Sequence, residues 1–117
     1  MLEPHERYYH LVPRETWEAQ VATGALEWRP ESLAREGFVH LSFAHQLEGT
    51  LAAHFAGADE VVLLRLDRAR LPRDLRLERS RGGEGFPHLY APLPMAAVLR
   101  SRVLRQSAGR FELTDPL

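Results

Sequence analysis

A chain of 117 residues has room for one domain with a buried core and none for a second, so residues 1–117 are read as a single domain that needs no staple. Its 15 basic and 16 acidic residues leave a formal net charge of -1, which excludes non-specific DNA binding and charge-driven attachment to a lipid surface. Cysteine is absent, and with it go disulfides, thiol nucleophiles and thiolate metal ligands.

Met1-Leu2-Glu3-Pro4-His5 holds no apolar signal region, and no apolar run approaches the roughly 18 residues of a membrane span. A soluble, cytoplasmic protein without a membrane partner is expected. Every basic residue is Arg, and Lys, Asn and Ile are missing, a bias that a GC-rich genome produces without functional demand. Tyr8-Tyr9-His10-Leu11-Val12 reads as a first strand. Pro13 then sits where a first helical turn tolerates it, and Trp17 with Val21 forms an i, i+4 apolar pair ended by Gly24, which predicts a short helix over 14–23. Pro30 to Glu36 makes one or two further turns that Gly37 ends in a left-handed conformation.

Phe38-Val39-His40-Leu41-Ser42 reads as one strand, with Phe38, His40 and Ser42 on one face and Val39 and Leu41 on the other. Leu47, Leu51 and Phe55 recur at four-residue steps and predict the longest helix between Phe43 and Ala56. The β-branched run Val61 to Leu66 has the pattern of a central strand covered on both faces. A turn-rich stretch from Asp67 to Asp74 leads to a half-buried strand in which Leu75 and Leu77 alternate with Arg76 and Glu78. Gly82-Gly83-Glu84-Gly85 reads as a hairpin connection flanked by Arg79 and Arg81, since no Gly-Lys-Ser/Thr follows to make a phosphate loop. Phe86-Pro87-His88-Leu89-Tyr90 is a third His-centred strand, and Pro92-Leu93-Pro94 interrupts pairing after it. Val98 to Leu104 fits strand or helix, and its alternation, with Gly109 to Leu113 as an antiparallel return, favours strand. About six strands, with the helices in the N-terminal half, give an α+β fold with a mixed, mainly antiparallel sheet.

The candidate chemistry sits on the strands. His10, His40 and His88 are each central in a short strand, beside Tyr8, Ser42 and Tyr90, and groups of these kinds together hold a sugar hydroxyl or phosphate and stack on a planar ring. A lone His at a strand centre is equally a buried, hydrogen-bonded core side chain. Three imidazoles with an open position also suit catalytic zinc, but no spacing here is a metal motif, so no metal is expected. Ser42 has a second role open to it as a helix N-cap, and Gln46, one turn into that helix, is placed to reach back to the same cleft. Glu78, opposite Leu75 and Leu77 on its strand, is the best general-base or ribose-binding candidate, ahead of Asp67.

Tyr9-His10-Leu11-Val12-Pro13 with Trp17, then Glu36 to Ser42 with Gln46, then Glu78, then Phe86 to Tyr90 with Pro92-Leu93, resembles the small bacterial family catalogued as domain of unknown function 952, over roughly residues 8 to 113. That family has been grouped with the ADP-ribosyltransferase-like fold, so the resemblance implies a split antiparallel sheet around a cleft. It also implies a first-strand residue for the nucleotide at His10 and a second-strand position at His40 with Ser42. The third position is usually a Glu, for which Glu78 and the His88–Tyr90 pair compete.

Three functions follow as expectations. The first is a transferase-type enzyme binding NAD or an ADP-ribose-like nucleotide, with His10, His40, Glu78 and His88 as catalytic candidates and His10, Ser42, Gln46 and Tyr90 as cofactor-binding ones. The second is a non-catalytic module for a nucleotide or RNA end, and the third a metal-dependent enzyme using His10, His40 and His88. A monomer is expected, or a weak homodimer through an apolar edge strand or the segment Leu93 to Val98.

Overall fold

The computed structural model describes residues 7–79 and 81–113. The chain runs β1 (Tyr8–Pro13), α1 (Arg14–Thr23), β2 (Glu27–Trp28), α2 (Glu31–Glu36), β3 (Val39–His40), β4 (Ser42–Phe43) and α3 (Leu47–His54). It continues with β5 (Glu60–Leu66), β6 (Leu75–Arg79), β7 (Gly85–Leu89), β8 (Leu93–Pro94), β9 (Val98–Ser107) and β10 (Arg110–Phe111). The described strands form a five-stranded sheet in the order β10-β9-β5-β1-β4, a three-stranded sheet β3-β7-β6, and a two-stranded ladder β2-β8. The pairings are antiparallel. With all three α-helices before residue 55, the fold is α+β, as the alternation of the sequence implies.

The continuous apolar run of β5 is central because both its faces are covered. Val62, Leu64 and Leu66 pack into one core layer with Val12, Trp17, Val39, Leu41 and Leu89. Val61 and Leu63 pack into another with Leu47 and Leu51 of α3. Each such side chain contributes about 1.5–3 kcal/mol by leaving water, so β5 fixes the position of everything hydrogen-bonded to it. The first layer joins the two sheets: Val39 and Leu89, both fully buried, turn the inner face of the small sheet onto the large one. By the two-residue period, Phe38, His40, Glu78, Phe86, His88 and Tyr90 are left on its outer face.

The predicted strand Phe38 to Ser42 is in fact two. Val39 and His40 pair with β7, whereas Ser42 and Phe43 pair with β1. Between them Leu41 donates its N–H to the Pro87 carbonyl at 3.0 Å and buries its side chain. The chain thereby passes from one sheet to the other, and a cleft opens at the passage. Gly37 makes this possible at φ 90°, a left-handed conformation that a side chain disfavours. Its N–H closes α2 onto the Leu33 carbonyl, and the chain emerges extended into β3.

Other differences have local causes. α1 spans the expected residues, but Trp17 is its buried residue while Val21 is 54% exposed, because α1 meets the sheet along a single line. The segment after Phe43 begins as a 3₁₀ turn at Ala44–Gln46, so α3 has eight residues and α1, with ten, is longer. Within the apolar segment Leu93 to Val98, Leu93 and Ala97 are fully buried in the first core layer, while Pro94, Met95, Ala96 and Val98 keep part of their surface. No helix among the described residues is long and apolar enough to cross a membrane.

Candidate functional site

Strands from both sheets and helices α2 and α3 surround a cleft of about 650 Å³, within the roughly 300–1,000 Å³ of ordinary small-molecule sites. His10, His40, Ser42 and His88 all line it, together with Trp28, Arg35 and Phe86. The three imidazoles therefore share one cavity, but their bonding differs.

His10 is fully committed to the protein. It is 6% exposed, its Nδ1 lies 2.7 Å from the His40 carbonyl oxygen, and its Nε2 lies 3.0 Å from Trp28 Nε1. A carbonyl only accepts and an indole only donates, so the ring is neutral, with the proton on Nδ1. Burial pushes its pKa down to about 4, against the smaller opposing effect of the His40 carbonyl. With both nitrogens occupied, His10 acts on the cleft by holding β3 and Trp28 in place.

His88 is nearly as buried, at 5% exposure, and bonded differently. Its Nδ1 lies 2.9 Å from Glu78 Oε1, and the same oxygen accepts from Tyr90 Oη at 2.5 Å. Those two hydrogen bonds, the tyrosine's first, hold the Glu78 carboxyl below the usual carboxylate range, so it is ionised at neutral pH and His88 Nδ1 is the donor. The same bond to Glu78 raises the Tyr90 phenol. His88 Nε2 is buried and has no hydrogen-bond partner among the described residues. Phe38 stacks on the ring at 4.0 Å, and Arg76 lies 4.4 Å over the Tyr90 ring. Glu78 and the His88–Tyr90 pair are thus not rivals for one position but members of one hydrogen-bonded group.

His40 is the Cα partner of His88 across the β3–β7 ladder, and their rings lie 5.5 Å apart at 79°. Its Nε2 meets Glu36 Oε2 at 2.5 Å, with both side chains about half exposed. Two candidates make other bonds than the sequence suggested. Ser42 Oγ pairs with Thr50 Oγ1 at 3.2 Å rather than capping a helix, and remains on the cleft wall. Gln46 is buried away from the cleft lining. Its Oε1 accepts from the Phe43 N–H at 2.9 Å, while its Nε2 donates to Glu84 Oε1 at 2.8 Å and to the Gly85 carbonyl at 2.7 Å. It fastens the β6–β7 hairpin to the start of α3. Asp67 serves as the turn residue its position suggests, accepting from the Ala69 N–H at 3.0 Å.

The three-imidazole metal site finds no geometric support: among the described residues no group of three His, Asp or Glu side chains is placed to hold an ion. Four contributors went unassigned as site residues in the sequence, namely Trp28, Arg35, Glu36 and Phe86. Glu36 stands four residues before His40 and carried a detectable signal. Trp28 did not, since β2 is two residues long and shows no period.

A family model described as "Protein of unknown function (DUF952)" matches residues 11–101. The chain belongs to the DUF952 family. The matched span includes His40, Glu78 and His88 and begins one residue after His10. The crystal structure of protein CC0527 from Caulobacter crescentus is similar to this DUF952 chain at 40% identity and a TM-score of 0.78, covering 92% of this chain and 94% of that one. The solution NMR structure of the same protein gives 39% identity and a TM-score of 0.75 over 95% and 96% of the two chains. No curated protein matches at significance.

Proposed function

We propose that this DUF952 protein binds NAD or an ADP-ribose-like nucleotide in the cleft and carries out a transferase-type reaction there, with His88 Nε2 as the proton acceptor. The observation that carries this reading is the bonding of His88: its Nδ1–H is committed to the ionised Glu78, while Nε2 is unpartnered in a residue on the cleft wall. An imidazole held at one nitrogen by a carboxylate offers the other as a base in a fixed direction. An attacking hydroxyl brought to this buried nitrogen gives up its proton as its oxygen bonds to the ribose carbon of NAD, while the glycosidic bond from that carbon breaks and neutral nicotinamide leaves.

The remaining groups support a nucleotide. Trp28 and Phe86 provide apolar walls for a planar base, while Arg35 and the Ser42 hydroxyl face the cavity with the chemistry of a phosphate or ribose contact. The split sheet around the cleft, with His40 and the Glu78–His88–Tyr90 group at two of the three positions, supports the proposed relation to ADP-ribosyltransferase-like folds, whereas His10 departs from it because both its nitrogens are taken by the protein. His10 takes part as a positioning residue, through its bond to the His40 carbonyl.

Thermal unfolding with NAD and with ADP-ribose at millimolar concentration tests the reading, since a ligand that binds only the folded state raises Tm. At a hundred times Kd the stabilisation is about 2.7 kcal/mol. A rise in Tm that His88→Asn abolishes is expected, with a new ADP-ribosylated product by mass spectrometry. No rise with either ligand contradicts nucleotide binding, and binding without product leaves a recognition module.

A further inference from the structure

The cleft contains a second imidazole with a carboxylate of its own. Glu36 Oε2 holds His40 Nε2 at 2.5 Å, Glu78 Oε1 holds His88 Nδ1 at 2.9 Å, and the two rings stand 5.5 Å apart on paired positions of neighbouring strands. A carboxylate on one ring nitrogen fixes tautomer and direction and leaves the other nitrogen to exchange protons. For His88 that nitrogen is Nε2, and for His40, with Nε2 held, it is Nδ1. Two such imidazoles facing one cavity supply a proton acceptor and a proton donor within the width of one reacting group.

Displacement at phosphorus uses such a pair fully, because the attacking and leaving oxygens stand on opposite sides of the phosphorus atom and one must lose a proton as the other gains one. Arg35 lines the same cleft. Its carboxylate contact among the described residues, Glu31 at 3.5 Å, is long and exposed, so a phosphate pairing bidentately with the guanidinium displaces little. The aromatic wall of Trp28 and Phe86 lies on the same cavity, where a base would stack.

We infer that His40 and His88 form a general acid–base pair that cleaves a ribonucleotide phosphodiester by attack of the neighbouring 2′-hydroxyl. His88 Nε2 takes the 2′-hydroxyl proton as the 2′-oxygen bonds to phosphorus. The bond from phosphorus to the 5′-oxygen of the next nucleotide breaks, and protonated His40 delivers its Nδ1 proton to that oxygen. The products are a 2′,3′-cyclic phosphate and a free 5′-hydroxyl; nothing is oxidised or reduced, and solvent exchange restores the two rings. Glu36 and Glu78 are positioning residues. The inference rests on the reading of the cleft as a nucleotide site.

The full chain is incubated with the ribodinucleotide uridylyl-adenosine and with its 2′-deoxy analogue, and the products are followed by phosphorus NMR. The cyclic phosphate is expected from the first and no reaction from the second. His40→Asn and His88→Asn are each expected to lower the rate by about 10²–10⁴-fold. Glu36→Gln is expected to lower kcat about tenfold and to leave KM and Tm unchanged, with Glu36→Asp recovering most of the rate; a merely structural Glu36 would move Tm and KM together. Absence of cyclic phosphate from the wild-type protein overturns the inference, as does a rate that survives both histidine substitutions. ADP-ribose stabilisation without cleavage overturns it alone, whereas loss of both signals removes the nucleotide reading as well.

Discussion

The His10→Ala protein is expected to be less stable than wild type by about 3 kcal/mol at pH 7, measured by urea unfolding. Truncation leaves the partly buried Trp28 indole N–H and His40 carbonyl without their present partners and empties the buried His10 site, and each orphaned group costs up to about 1–3 kcal/mol, towards the lower end where water reaches it. Against the 5–15 kcal/mol typical of a domain, the variant still folds. The wild-type protein carries a second signature of the same residue. Its folded pKa of about 4 lies below the ordinary 6.5, so between those values the unfolded chain binds a proton that the folded one refuses. Stability therefore rises with pH through this window and falls as acid is added, by up to about 3 kcal/mol at 1.36 kcal/mol per unit. Glu60 and Glu78 have lowered values and contribute stability that is lost only as pH falls below the ordinary 4.5. The stretch above 4.5 thus carries the His10 contribution, and in His10→Ala that part of the slope disappears. Equal slopes in the two proteins would contradict the structural role assigned to His10.

Glu78→Gln is expected to lower the rate of the reaction proposed for the cleft by about 10²–10⁴-fold while Tm changes little. Glu78 is partly exposed and packs no core, so its loss opens no cavity. What it supplies is one oxygen that accepts from both Tyr90 Oη and His88 Nδ1. An amide offers either its oxygen or its NH₂ group to the imidazole. Where the NH₂ is presented, the His88 proton moves to Nε2 and the base is lost. Tyr90 gives a readout that needs no substrate: its phenol is raised chiefly by the Glu78 hydrogen bond, so in Glu78→Gln it ionises at lower pH in an ultraviolet titration. An unchanged tyrosine titration together with an unchanged rate would contradict the proposed group.

Elements whose burial is decided by local pattern were legible in the sequence. β5 is apolar on both faces and reads as central, and for Val98 to Leu104, which helix also fits, the alternation and the return from Gly109 favoured the strand that β9 and β10 form. The passage at Leu41 was not legible. A five-residue run with perfect alternation carries no mark that its two ends pair with different sheets, since that depends on where β1 and β7 lie in space. The site divides in the same way. His40 and Ser42 were singled out because the two-residue period sets them on one face of their run, and His88 because its run repeats that design; all three line the cleft. The difference between His10 and His88 was invisible, because it rests on Trp28 and Glu78, partners 18 and 10 residues distant whose approach only the fold creates. Gln46 was misjudged for a related reason: the 3₁₀ turn at its position rotates the amide toward Gly85 and away from the cleft.

The central claim is that His40 and His88 face a ligand cleft while His10 is sealed into the scaffold beside them. Ring-nitrogen NMR of the histidines during titration with ADP-ribose tests it most directly. The account predicts that His88 Nε2 starts as an unpartnered acceptor and moves on ligand addition together with His40, while both His10 nitrogens stay where they are. Ring signals of His40 and His88 that remain fixed at millimolar ADP-ribose, or a His10 signal that moves with them, would contradict it.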